Sequence, residues 1–441
     1  MVDHDSARPG FTSVFGALMA FIGVAVGLGN VWRFPYMTAA FGGGAFLLVY
    51  LALLFLFGIP ALTAEFTLGR LTRRGPVGAF TRIGMRGGRT IGWALFVTVL
   101  MALSYYSVVV GWVLRYTVVS LTGAVVAVEP NALFDSVLGG YPGQFGFTAA
   151  VVALAAAVLL LGIRRGVQRV SAYGMPLLFL LLLALMVRSL TLPGAGEGLR
   201  FYLTPDFSKI DAGVVTAALG QLFFSLGLGG TFMVTYASYV GGDVDLRRSA
   251  VNVGVGETLA SILAGFVIVP AAVTLGVELT SGPPLTFVTA PSIFGAIPGG
   301  ALFATIFFGL LFFAAFLSDV AGFEVLVAGA VDELGWDRRT AVLTFCVAAL
   351  ALGVVPMLSV DYILQSDLFW GSTMQPLGSA LALIGLAWAV GLGRALEEAN
   401  RGVRGRPVGR LWFYWIKYVV PLGIGLILAL GLRDLFNTFV S

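Results

Sequence analysis

The sequence predicts an all-α protein that crosses a membrane many times. Three observations carry this. Of the 441 residues, 59% are hydrophobic and only 11% are charged, and the mean hydropathy is +0.97; no soluble domain of this size needs so much apolar surface. Apolar runs long enough to cross a ~30 Å hydrocarbon core recur from end to end. The arginines gather in every second connection between those runs.

Eleven spans fit the pattern: 11–37, 42–70, 90–122, 146–163, 168–190, 211–240, 246–278, 300–332, 339–356, 361–392 and 411–436. With the N-terminus cytoplasmic, the even-numbered spans exit at "GRLTRRG", "IRRGVQR", "LRR", "DELGWDRR" and "GRALEEANRGVRGRPVGR", all bearing Arg. The opposite loops "LTGAVVAVEPNALFDSVLGGYPGQFGF" and "TSGPPLTFVTAPSIFGAIPGG" contain no Lys or Arg. That asymmetry predicts a multi-pass protein of the cytoplasmic membrane with its N-terminus inside. The odd count leaves the C-terminus outside. The opening "MVDHDSARPG" lacks the basic region of a cleavable signal peptide, so the first span is expected to be retained. The whole chain, 1–441, reads as one transmembrane domain.

Composition also excludes functions. His4 is the single histidine and Cys346 the single cysteine, which removes most zinc, haem and Ser–His–Asp chemistry. No nucleophile–base constellation or phosphate loop stands out, so an enzyme is not expected. No nucleic-acid partner is expected either.

Two spans are anomalous. The first contains "GVAVGLGNVWRFPY", Gly23 to Tyr36, and the sixth contains "FFSLGLGG". Glycine-interrupted spans five apart run in opposite directions, the pattern of an inverted repeat with a site at the membrane midplane. Spans one to five (11–190) and six to ten (211–392) are then the repeats, with 411–436 appended. A break frees carbonyls and amides that lipid cannot satisfy, so they face protein, a cation or a ligand. The alternative is that the glycines only let helices pack closely.

These stretches, with "FGGGAF", "GIPALTAEFTLGR", "ALGQLFFSLGLGG" and "TYASYV", resemble the neurotransmitter:sodium symporter family over about residues 8 to 390. The resemblance implies the leucine-transporter fold and sodium-driven import of an amino acid by alternating access. It implies one sodium site from the Ala25 carbonyl, Asn30, Ser225 and the substrate carboxylate. A second would use carbonyls of Gly23, Val26 and Ala314 with Ser318. The substrate carboxylate would meet amides near Leu28 and Gly29 and the Tyr106 hydroxyl. Phe224 would cover the site, Arg33 and Asp367 with Gln221 would form the outer gate, and Arg8 with Asp332 and Tyr239 the inner one. Glu65 matches an acid that braces the broken sixth span.

The departures from the family pattern are specific. Gly256 stands where an Asn is expected for the first sodium, with Glu257 next to it, and Ala260 stands where chloride-independent members carry an acid. Glu257 is expected to supply the compensating negative charge, and chloride is not expected to be required. Leu317 replaces an oxygen ligand of the second site, and the adjacent Asp319 either contributes an oxygen or a titrating group there, or pairs with a neighbouring helix. One or two sodium ions are therefore open. The matching side-chain subsite is Val24, Ala102, Gly227, Gly230, Ser318 and Gly322, small residues that predict a bulky hydrophobic or aromatic amino acid. The alternatives are a proton-coupled or sodium-independent carrier on the same fold, or a membrane sensor that does not cycle.

Overall fold

The computed structural model describes residues 10–277, 279 and 282–440. Among them the chain is helical throughout, apart from one isolated bridge between Gly43 and Pro205. The helices used below are α1 (Val14–Ala25), α2 (Gly29–Ala40), α3 (Gly44–Thr72), α4 (Gly88–Leu121), α5 (Tyr141–Leu160), α6 (Ile163–Leu190), α7 (Ala212–Ser225) and α8 (Phe232–Ala237). They continue with α9 (Leu246–Leu275), α10 (Gly300–Leu334), α11 (Arg338–Leu358), α12 (Val360–Val390), α13 (Leu392–Asn400) and α14 (Arg410–Leu430).

Helix starts are written in capping side chains. Ser13, Asp211, Asp245 and Asp337 each accept a hydrogen bond from a backbone N–H in the following first turn. Each cap satisfies an amide that the helix itself leaves open.

Nine of these helices are long and apolar enough to cross a membrane, and α1 with α2 makes a tenth span bent by 56°. The sixth expected span, 211–240, is divided between α7 and α8, each too short to cross alone. The eleven-span expectation is compatible with this arrangement. Both interruptions fall on the glycine stretches, because extended backbone at Val26 and positive φ at Gly227 and Gly230 end helical hydrogen bonding there.

The long helices α4 and α10 pack against each other through the centre, with α1, α6 and α9 grouped beside them. Their inner faces are buried Val, Leu, Phe and Ala. Against this scaffold the broken pairs α1/α2 and α7/α8 meet, and their breaks define the site.

Candidate functional site

At the first break the backbone turns on Gly27. Its N–H donates to Asn30 Oδ1 at 2.8 Å, and Asn30 N–H returns to the Gly27 carbonyl at 3.3 Å. Glycine is required by close approach: a Cβ on Gly27 would meet Ser318 Oγ at 2.7 Å, and one on Gly29 would meet the Phe224 ring at 2.8 Å.

The fully buried Asn30 amide donates to Glu257 Oε1 at 2.6 Å and to Ser261 Oγ at 2.8 Å. Glu257 also accepts from Tyr50 at 3.2 Å, Thr258 at 3.1 Å and Ser261 at 3.1 Å. Tyr50 in turn shares a 2.9 Å hydrogen bond with Ser225, the last residue of α7. A fully buried carboxylate thus lies among hydroxyl oxygens of Tyr50, Ser225, Thr258 and Ser261 beside both breaks, and oxygen is the ligand type that suits a small hard cation.

The α9 residue facing Asn30 is Glu257; Gly256 faces Ile22, whose side chain a Cβ there would strike at 2.8 Å. Ser261, four residues on from Glu257, shares its helix face. Ser261, Tyr50 and Thr258 were missed, although the four-residue spacing from the one acid in this span points to Ser261.

Beside this cluster lies a cavity of about 100 Å³ lined by Val24, Ala25, Leu28, Gly29, Asn30, Ala102, Tyr106, Phe224, Ser225, Gly227 and Ser318, all expected there. Val99, Leu103, Phe232 and Gln375 line it too. Gly230 and Gly322 do not: Gly230 abuts the Gly378 carbonyl and Gly322 the Leu103 side chain. A second cavity of about 380 Å³ stands above, lined by Trp32, Arg33, Tyr36, Leu364 and Asp367. Leu28, Gly29, Tyr105, Tyr106, Phe224 and Asp367 line both, so the boundary between the two cavities runs through them. The Arg33 guanidinium lies 4.7 Å from the centre of the Phe224 ring, and Asp367 accepts from Tyr105 at 3.1 Å. Arg33 and Asp367 face one vestibule without a direct ion pair between them. Gln221 ties α7 to the first break by donating to the Gly29 carbonyl at 3.1 Å.

The other expected cation position differs. Ser318 Oγ lies 3.3 Å from the Val24 carbonyl and 3.4 Å from that of Val26. Leu317 packs its methyl onto Gly23, 3.0 Å from where a Cβ would stand. Ala314 is buried on the same helix, α10. Asp319 points away from the break: its Oδ1 accepts from Ser107 on α4 at 2.7 Å, and its Oδ2 finds no hydrogen-bond partner. Of the two alternatives for Asp319, the geometry is that of pairing with a neighbouring helix.

At the second break Glu65 Oε1 accepts from both Gly229 and Gly230 N–H at 3.1 Å. On the opposite side from the vestibule, Tyr239 donates to the buried Glu324 at 2.6 Å, and Arg338 clamps both Glu324 oxygens at 3.1 and 2.6 Å. Phe11 N–H donates to the Tyr239 carbonyl at 3.2 Å, and Asp332 accepts from Gly75 N–H at 2.9 Å with Arg74 at 3.7 Å. Arg8 lies outside the described residues. Glu324 and Arg338 were missed by the sequence reading.

Two interrupted spans that meet over a buried acid, a cavity between them and charged groups on either side define a membrane transporter. The family model for the sodium:neurotransmitter symporter family matches residues 8–132 and 142–438. The chain belongs to that family of secondary transporters and is not an enzyme. It is 33% identical over 430 residues to the sodium-dependent transporter YhdH of Bacillus subtilis, covering 94% of this chain and 95% of the relative. A sodium-dependent transporter of Haemophilus influenzae is 32% identical, covering 99% and 100%. The crystal structure of MhsT in complex with L-phenylalanine superposes with a TM-score of 0.86 at 35% identity, covering 96% of this chain and 99% of that one. The fold is therefore the leucine-transporter fold expected from the sequence.

Proposed function

We propose that the protein imports a hydrophobic or aromatic amino acid together with sodium by alternating access across the cytoplasmic membrane, N-terminus inside and C-terminus outside, as two inverted repeats and an appended span. The observation that carries this is the buried Glu257 cluster, which joins Asn30 at one break to Ser225 at the other beside the cavity they line. Sodium binds among Asn30, Ser225, the Ala25 carbonyl and Glu257, touching the substrate carboxylate. Ion and substrate then stabilise each other, and that mutual stabilisation is the coupling. Leu28 and Gly29 amides with Tyr106 hold the carboxylate, and the small residues Val24, Ala102 and Gly227 leave room for the side chain. The L-phenylalanine in MhsT, a relative of the same fold, supports an aromatic substrate.

The ratio is one sodium. A leucine methyl on Gly23 displaces a hard-cation ligand, while Ser318 Oγ is taken up with the Val24 and Val26 carbonyls. Glu257 supplies the negative charge beside sodium, so chloride is not required. Phe224, Arg33 and Asp367 close the outer side; Tyr239 and Asp332 belong to the inner one.

The test is uptake of the twenty amino acids into proteoliposomes under sodium, lithium or proton gradients. Sodium-dependent uptake of Phe, Trp or Leu above Ala is expected; uptake that follows the proton gradient and ignores sodium assigns the protein to the alternative carrier reading. Glu257→Gln is expected to lose transport or to acquire a chloride requirement. Unchanged, chloride-independent uptake by that variant removes Glu257 from the coupling.

A further inference from the structure

Lys417 lies within α14, a helix apolar enough to span a membrane, and its close neighbours are aromatic rings. Its Nζ lies 4.0 Å from the centre of the Trp388 ring, 5.5 Å from Tyr418 and 5.9 Å from Phe413. Among the described residues no carboxylate oxygen comes within 4.0 Å of it. Ring faces orient an ammonium but leave its charge and N–H donors to an outside group.

The surroundings indicate which group. Lys417 stands seven residues into the helix from Arg410, roughly 10 Å along the axis. Its side chain leans back toward the helix start, which lowers the ammonium to the interface. Between 401 and 417 the chain carries Arg401, Arg404, Arg406, Arg410 and Lys417 and no acid. All four arginines are exposed, as are Trp388, Tyr414 and Tyr418 beside them.

The platform that presents these cations is ordered. Asn400 closes the loop by exchanging two hydrogen bonds with Val408, at 2.7 and 3.0 Å. Buried Arg70 on α3 donates to Glu398 Oε1 at 2.6 Å, to the Val244 carbonyl at 2.6 Å, to the Arg401 carbonyl at 3.0 Å and to the Glu398 carbonyl. Arg247 on α9 holds the Arg406 carbonyl at 2.5 Å. The loop is thereby seated on the 241–247 segment that follows the second break.

We propose that Lys417 and Arg410, with Arg404 and Arg406, bind the headgroup phosphate of an anionic phospholipid, and that the bound lipid steadies the loop against the start of α9. Charge complementarity selects the occupant: Arg401 pairs with Glu398 at 3.8 Å, but Arg404, Arg406, Arg410 and Lys417 have no carboxylate within 4.0 Å among the described residues, and four such cations discriminate against a zwitterionic headgroup. A basic cluster at the end of a span is attracted to anionic lipid by about 1 kcal/mol per residue, roughly five-fold in affinity. The leaflet named rests on the inward orientation proposed above; the site itself does not.

The experiment is native mass spectrometry of the whole protein released from vesicles of phosphatidylcholine containing phosphatidylglycerol, compared with Lys417→Gln and Lys417→Arg. Sodium-driven uptake of each variant is measured separately. Wild type and Lys417→Arg are expected to retain phosphatidylglycerol over phosphatidylcholine, and Lys417→Gln to retain it about five-fold less. Equal retention by wild type and Lys417→Gln overturns the proposal, as does equal retention of the two lipids. Displacement of phosphatidylglycerol by glycerol phosphate alone shows a site for free phosphate and overturns it too. Retention is read without transport, so it succeeds or fails independently of the transport reading.

Discussion

Leu317 and Ser318 sit side by side in α10 and do opposite things. The serine hydroxyl reaches toward the Val24 and Val26 carbonyls, while the leucine lays hydrocarbon on Gly23. A hard cation needs oxygen, so a single side chain sets the coupling ratio in our reading. Leu317→Ser is expected to change sodium dependence of uptake from hyperbolic to sigmoidal, with a Hill coefficient moving from about one toward two. Removing the leucine also opens a cavity, at a cost of about 2–5 kcal/mol; Leu317→Ala carries that cost without adding an oxygen and should stay hyperbolic. Sigmoidal behaviour in both variants would trace the change to the cavity. Glu257 shows how far individual side chains were legible. Its charge within an apolar span announced a role, but a one-residue shift along a helix turns a side chain by about 100°. Only the packed helices show that Glu257, not Gly256, meets Asn30.

The interrupted helices were readable because glycine and Asn within an apolar run violate the requirement that lipid-facing backbone bond to itself. The tie on the side away from the vestibule was not. Glu324 and Arg338 lie 14 residues apart on successive helices, and their pairing depends on the turn between α10 and α11 bringing them to the end of α8. No periodicity carries that information. Arg338→Gln leaves Glu324 buried without its cation, a change that costs about 3–5 kcal/mol in comparable pairs. The expected result is faster exchange of the Phe11 amide, which is bonded to Tyr239, by about a hundred-fold, the factor that ~3 kcal/mol represents. The double variant Glu324→Gln/Arg338→Gln should recover part of this protection, because no bare charge remains. Protection unchanged in Arg338→Gln would mean that the ion pair does not hold this side of the protein together.

Across the molecule, the two broken pairs share one cluster, so a ligand at that cluster acts on both breaks at once. Asn30 belongs to α2, Ser225 to α7, Tyr50 to α3 and Glu257 to α9, and every one of them is tied to another by a hydrogen bond. An ion that binds only when these four helices are together stabilises that assembly by mass action, about 2.7 kcal/mol at a sodium concentration of 100 times its dissociation constant. Sodium should therefore raise the melting temperature of the purified protein, and potassium at equal ionic strength should not. In the proposed site the substrate carboxylate touches the ion, and any coupling between the two ligands is reciprocal. Whatever factor saturating phenylalanine gives in sodium affinity, saturating sodium must give in phenylalanine affinity. Equilibrium binding of each ligand at zero and saturating levels of the other measures both factors. Equal factors well above one place ion and substrate in a shared site, whereas factors of one would mean that sodium binds elsewhere and drives no transport through Glu257.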